Sequence, residues 1–399
     1  MWVRKRLEIG GSHLLYGLAR CLVPGSTTAH QQSISAHLPQ PSEAVLTLSV
    51  RSGFDLLLSA LCLPRGSEIL FSALTLPDMA TIARAHHLVP VPVDLDPSTA
   101  GPDLESLRSA IRPQTKALVV AHLFGSRVDL TPIVEICRHH GLLLIEDGAQ
   151  AFTSARRWGD DRCDVSLFSF GSIKTATAAG GGILQVRDPS LRERMKEHQA
   201  LYPLQSVWQH TRKLSKIALF KSLSFPVPYR ILRQFCQLVS IPLDPLLQKS
   251  MQGFRGSQCM SRFRHRPHPA LLALLRHRLA TLDPRQIRQR TLQGRRLRDH
   301  LTKGSRSLPG EKARVHSFWV FPVLANVPAT LIQDCLKQGF DATSQQSMAV
   351  LPSPPEHPGA NPSRARTMLE QMLYLPAYPE IPQKEIDALA RRLGSHRRA

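Results

Sequence analysis

Several things are missing from this 399-residue sequence, and each absence narrows its class. No apolar run reaches the ~18 residues that a membrane-spanning helix needs. The start, Met1-Trp-Val-Arg-Lys-Arg6, is as basic as the first part of a secretion signal. The apolar stretch that should follow is interrupted by Glu8, His13 and Arg20. The seven cysteines (Cys21, Cys62, Cys137, Cys163, Cys236, Cys259, Cys335) are scattered, odd in number and form no Cys-x-x-Cys pair. Neither a disulfide framework nor a metal site is therefore expected, and a reducing, cytoplasmic setting is. No Walker or dinucleotide fingerprint occurs, because Gly180-Gly-Gly182 lacks the required spacing and the following helix. There is also no internal repeat.

Acids are scarce: 30 Asp and Glu stand against 51 Lys and Arg, a formal charge of +21. The excess is local. Residues 201–310 carry 21 basic side chains and three acids (Asp244, Asp283, Asp299), a net of +18, which leaves +3 for the rest. A uniform excess would suggest a nucleic-acid binder; a nearly neutral body with one basic segment suggests an added surface. No aromatic–basic interleaving accompanies the charge, so nucleic acid ranks last among the partners considered.

What is present is a globular composition, 42% hydrophobic, long enough for two or three domains. Residues 1–43 read as an N-terminal arm. Residues 44–200 alternate short apolar runs (68–71, 89–94, 117–122, 142–147, 165–170, 182–186) with helix-like stretches such as 103–111 and 132–140. That rhythm predicts an α/β fold with a largely parallel sheet covered on both faces, whose ligands bind at the strand carboxyl ends. Residues 201–262 read as a basic amphipathic insertion. Residues 263–399 read as a smaller α+β domain with helices over 268–301, 330–338 and 383–393 and strands at Phe318-Trp-Val-Phe321 and near Gly339.

Three pieces carry the chemistry when taken together. Glu146-Asp147-Gly-Ala-Gln150 ends a buried strand, Phe168-Ser169-Phe170-Gly-Ser-Ile-Lys174 puts a lysine after another, and Ser52-Gly53-Phe54 precedes an apolar helical stretch. A lysine, a carboxylate and a helix start are what pyridoxal phosphate (PLP) requires: an amine for its aldehyde, an anion for its ring nitrogen, and N–H groups for its phosphate. Each piece alone has an ordinary reading, as a turn residue, a solvated lysine or an N-cap. His122, ending a strand, reads equally well as a buried tie between strand and loop.

These residues resemble the PLP-dependent nucleotide-sugar aminotransferases of the DegT/StrS group. The resemblance runs from Ser52 to Ser190 and resumes after Phe263. It rests on Arg51-Ser-Gly53, Pro90-Val-Pro-Val-Asp-Leu-Asp96, Thr115–Gly125, Ile145-Glu-Asp-Gly-Ala-Gln-Ala151, Phe168-Ser-Phe170 with Lys174, Gly181-Gly182 and Leu375-Pro-Ala-Tyr-Pro379. It implies the fold-type-I architecture, a homodimer, an amino-acid donor (usually glutamate) and a small-molecule keto substrate. By the same resemblance Lys174 is the Schiff-base and proton-moving lysine and Asp147 the partner of the ring nitrogen. Ser169, Ser52, Gly53 and Phe54 meet the phosphate, Gln150 lies near the phenolic oxygen, Leu76 covers the ring, and Arg264 reaches the phosphate of the neighbouring subunit.

The sequence also departs from that pattern. Phe54 stands for a threonine, Leu76 for a stacking aromatic, Gly180 for a glutamate and Arg264 for an asparagine, while Thr343–Met348 replaces a His/Tyr loop near the sugar. A dehydratase of the same group would carry His in place of Lys174. The altered substrate-facing parts leave a second alternative, a degenerate binding or regulatory protein on the same fold. For the basic segment, Thr211–Leu223 and Tyr229–Ile241 have helical apolar spacing. Two placements follow: the apolar faces pack on the protein body, or the insertion lies peripherally on an anionic membrane.

Overall fold

The computed structural model describes residues 1–154, 158–239, 259–303, 306–344 and 347–395. Its centre is a seven-stranded sheet of β1 (Ala44–Thr47), β2 (Glu68–Ser72), β3 (Val89–Val93), β4 (Thr115–Ala121), β5 (Leu143–Asp147), β6 (Val165–Ser169) and β7 (Gly182–Val186). The order is β1-β7-β6-β5-β4-β2-β3. Pairs β3–β2, β2–β4, β4–β5 and β5–β6 are parallel, and β7 runs antiparallel to both β6 and β1. This is the expected mostly parallel α/β sheet.

The apolar strands are explained by burial on both faces. Ile69, Phe71, Ala117 and Val119 pack under helices Val50–Leu61, Pro77–Ala85 and Pro189–Ala200. Their neighbours Leu70, Leu118 and Val120 pack under Leu104–Ala110 and Thr131–His140. Toward β6 and β7 the second face is covered by Pro269–Ala280 and the N-terminal helix Gly11–Leu22. Gly53 is required where helix Val50–Leu61 crosses β7, since a Cβ there would lie 2.3 Å from Leu184 Cδ1.

The smaller unit pairs Phe321–Leu324 with Met372–Leu375 and covers them with Pro284–Lys303, Pro328–Lys337 and Gln383–Ser395. Here the sequence reading needs adjustment. The expected helix over 268–301 is two helices, broken at Thr281-Leu282-Asp283. The strand expected at 318–321 begins only at Phe321, and the one near Gly339 is reduced to bridges from Phe340 to Trp2 and from Thr343 to Tyr374.

Neither the arm nor the described part of the insertion hangs free. Arg4 pairs with buried Asp341, and Gly11–Leu22 packs on Pro269–Ala280 and Val207–Leu223. Helix Pro226–Leu238 reaches the same Asp341 through Tyr229 and Arg233. Its apolar residues split: Tyr229 and Cys236 face inward, while Val227, Ile231, Phe235 and Leu238 are exposed. The insertion therefore packs on the body with only part of its apolar surface. Ser240 and Ile241, at the end of the expected helix, lie outside the described residues.

Candidate active site

Strand alternation separates two adjacent carboxylates at the end of β5. Glu146 points into a closed network, accepting from His122 Nε2 at 2.8 Å, Ser166 Oγ at 2.8 Å and the Asp160 amide at 2.7 Å. Burial opposes its ionisation, but these hydrogen bonds and Arg127 outweigh it and hold the carboxyl below its usual range. His122 also accepts the Val128 amide, so it ties a strand end to a loop. Asp147 points the other way. Its Oδ1 accepts only the Ala149 amide, at 2.9 Å, and its Oδ2 has no hydrogen-bond partner among the described residues. Burial raises its pKa, against the opposing pull of that amide and of Lys174.

Lys174 follows β6 in a turn closed by its own amide on Gly171 O at 3.0 Å. Its ammonium stands 4.1 Å from the centroid of the Trp319 ring. Burial pushes its pKa down to about 8; Asp147 opposes the shift, and Lys5 and Arg51 add to it. Lys5 approaches the same indole, 5.0 Å from its centroid, donates to Trp319 O and lies 3.6 Å from Glu8. It too falls to about 8 through burial. Lys213 does likewise, by burial and the nearby Arg51.

These three lysines give the protein a pH signature. Between pH 8 and the ordinary lysine value of 10.5, the unfolded chain keeps protons that the folded chain has released. Stability must then rise with pH. The melting temperature is expected to increase from pH 7 to 8.5. The rise should be less steep above pH 9, where unfolded-state thiols ionise while buried Cys137 and Cys335 stay protonated with pKa values pushed up to about 12. Calorimetry showing a flat or falling melting temperature from pH 7 to 8.5 would remove the assignment.

The structure brings some of the other expected residues to this point and moves others away. Ser169 Oγ and Lys174 flank Gly171, and the hydroxyl has no protein partner among the described residues. Gln150 is oriented by the Phe124 amide, which donates to its Oε1 at 2.9 Å, and its Nε2 faces Met348 Sδ at 3.3 Å. Leu76 caps helix Pro77–Ala85 beside Leu74-Thr75, which pairs with Ala349-Val350. Ser49, not Ser52, is the N-cap of Val50–Leu61; its hydroxyl accepts the Ser52 amide and meets Ser52 Oγ at 3.0 Å.

Gly53 and Phe54 need correction. The helix begins earlier than read, the Gly53 amide is spent on Ser49 O at 2.9 Å, and Phe54 is fully buried against Phe71. Arg264 also has another use: its fork closes on buried Asp55 at 3.0 and 3.1 Å. Sequence reasoning missed Trp319, Lys5 and Lys213. Trp319 was hidden in an apolar run read as core, and the two lysines in basic segments far from any motif.

This set fits the cofactor implied by the resemblance. A half-buried carboxylate with one unpartnered oxygen suits a protonated ring nitrogen, a lysine of pKa about 8 suits an aldehyde, and a serine hydroxyl without a partner among the described residues suits a phosphate. Among the described residues no cluster of metal-ligating side chains occurs.

Comparison with known proteins agrees with this. The model of the DegT/DnrJ/EryC1/StrS aminotransferase family matches residues 27–213. A GDP-perosamine synthase of Caulobacter vibrioides is 34% identical over 161 residues, 39% of this chain and 43% of the relative. The chain thus spans under half the length of that curated relative. Aminotransferase TlmJ from Streptoalloteichus hindustanus superposes with a TM-score of 0.70 at 21% identity, covering 97% of this chain and 96% of the other. NtdA from Bacillus subtilis, solved with bound PMP, gives 0.69 at 17% identity, over 97% of this chain and 83% of that one. At such identities these structures establish the fold, that of fold-type-I PLP-dependent aminotransferases.

Proposed function

We propose that this protein, whose residues 27–213 match the model of the DegT/DnrJ/EryC1/StrS aminotransferase family, is a PLP-dependent aminotransferase. It moves an amino group from an amino acid, with glutamate the first candidate, to the keto group of a sugar or related compound. The observation that carries this reading is the placement of Asp147 at the end of β5, with one carboxylate oxygen unpartnered among the described residues, and of Lys174 in the turn after the neighbouring β6. When bound, the cofactor supplies an electron sink. Asp147 would keep its ring nitrogen protonated, and Ser169, Ser52 and the start of Val50–Leu61 would hold its phosphate.

Lys174 Nζ takes the proton from the donor's α-carbon. A lysine with an ordinary pKa is almost wholly protonated near neutrality and makes a poor base; one near 8 keeps a useful unprotonated fraction. Trp319 caps the ammonium and restricts where it can move. Gln150, held by the Phe124 amide, presents its amide toward the Met348 segment where the keto substrate enters. The presence of Lys174 speaks against the dehydratase. The test is spectroscopic: with PLP added, the protein should gain a visible absorption band that glutamate bleaches. A band indifferent to glutamate and to other amino donors favours the degenerate binding protein.

The functional unit in this reading is a homodimer, to be checked by light scattering. The outward stripe Val227, Ile231, Phe235 and Leu238, flanked by exposed Arg230 on a segment of net charge +18, is further read as a peripheral contact for anionic membranes. Among the described residues no helix is long and apolar enough to cross a membrane. Sedimentation with anionic vesicles should show salt-sensitive binding that Phe235→Asp weakens several-fold. No binding at moderate salt removes this part of the proposal.

A further inference from the structure

A phosphate at the start of Val50–Leu61 needs a cation, and the expected one is engaged elsewhere. Arg264 is closed on Asp55, which His86 also holds at 2.8 Å. Arg51 is paired with Asp78. The free cation comes instead from the basic insertion. Helix Val207–Leu223 buries His210, Leu214 and Ile217, and Lys213, next to Leu214, is half-buried.

Its position is set by Gly180. A Cβ on Gly180 would lie 3.7 Å from Lys213 Nζ and equally 3.7 Å from Leu48 O. Next along the chain, Gly181 donates to Leu48 O at 2.9 Å, and Gly182 packs so closely that a Cβ would sit 2.6 Å from Ser49 C and 2.7 Å from Val50 N. The ammonium and Leu48 O thus both lie beside Gly180, on the stretch that leads into the Ser49 cap, where the helix turns its unpaired N–H groups outward. The ammonium has no acidic or hydrogen-bond partner among the described residues, and Arg51 is the charge that faces it. A half-buried ammonium beside a second cation is unfavourable until an anion arrives. Gly180 adds to this. It stands where the resembling family has a glutamate, and its lack of a side chain leaves Lys213 uncompensated from within the protein.

We propose that Lys213 binds the cofactor's phosphate in cis, replacing the contact that the resemblance assigned to Arg264 of a neighbouring subunit. The proposal rests on the PLP reading. It turns part of the basic insertion from a surface feature into a wall of the site.

The experiment compares PLP with pyridoxal, which lacks the phosphate, by equilibrium titration of cofactor absorbance. Lys213→Met suits a half-buried position and is expected to weaken PLP binding about 10- to 100-fold while leaving pyridoxal unchanged. Lys213→Arg should restore most of the loss. Lys216→Gln, exposed on the same helix, and Arg264→Gln should keep the wild-type preference. Inorganic phosphate should compete with PLP in the wild type and much less in Lys213→Met. Equal losses for PLP and pyridoxal, no loss, or a phosphate-specific loss in Arg264→Gln instead would overturn the assignment. Wild-type protein that binds neither compound would overturn the cofactor reading as well, so the two failures are distinguishable.

Discussion

Lys174→Ala is expected to abolish turnover without weakening the fold. Proton transfer by a positioned side chain contributes about 10²- to 10⁴-fold, and the same amine also holds the cofactor, so the loss should reach the upper end or exceed it. Stability should move the other way. The buried ammonium is held near pKa 8, so it is strained rather than satisfied in the folded protein, and its removal should leave the melting temperature unchanged or higher. Steady-state assays beside calorimetry on the same preparation check both halves. Retained activity in Lys174→Ala would sink the lysine's role. Lost activity with a large drop in melting temperature would point to misfolding instead.

The second large effect is on stability and lies far from the chemistry. Asp341 is fully buried and receives Arg4 Nε at 2.8 Å, Arg233 at 3.1 Å and the Tyr229 hydroxyl at 2.5 Å. One carboxylate thus fastens the N-terminal arm and the basic insertion to the small domain. Removing one member of a buried ionic cluster leaves the others uncompensated and costs about 3–5 kcal/mol. Both guanidinium groups keep some access to water, which places Asp341→Ala at about 3 kcal/mol. Denaturant unfolding should show it, with faster proteolysis of residues 1–10. Asp341→Asn, which keeps the shape, should lose less. A change under about 0.5 kcal/mol for the alanine variant would mean the cluster is a surface ion pair of ordinary worth.

Legibility in the sequence followed the range of the interactions concerned. The strands of the sheet were readable because burial on both faces makes them almost wholly apolar, and Lys174, Asp147 and Ser169 could be proposed because they stand at fixed offsets from those strands. Gly53 and Phe54 were placed one step wrong for a local reason. The N-cap fell on Ser49, so the glycine that looked like a phosphate contact is needed for helix-to-strand packing. Arg264, Lys5 and Lys213 failed for a longer-range reason. Which acid or cavity a basic side chain meets depends on tertiary placement, and with 51 Lys and Arg in the chain no local pattern marks these three. The charge count separates one basic stretch from a nearly neutral remainder, but no local pattern marks Lys213 within it.

The central claim is that one lysine among several buried ones carries the chemistry, and it can be tested on the whole protein. Lys5, Lys174 and Lys213 share a pKa near 8, so each would react readily with an aldehyde if the cofactor reached it. Borohydride reduction of the PLP-loaded protein, followed by peptide mapping, identifies the lysine that is attached. The account predicts one modified site, Lys174. Attachment at Lys5 or Lys213, or spread over surface lysines with Lys174 untouched, would contradict it.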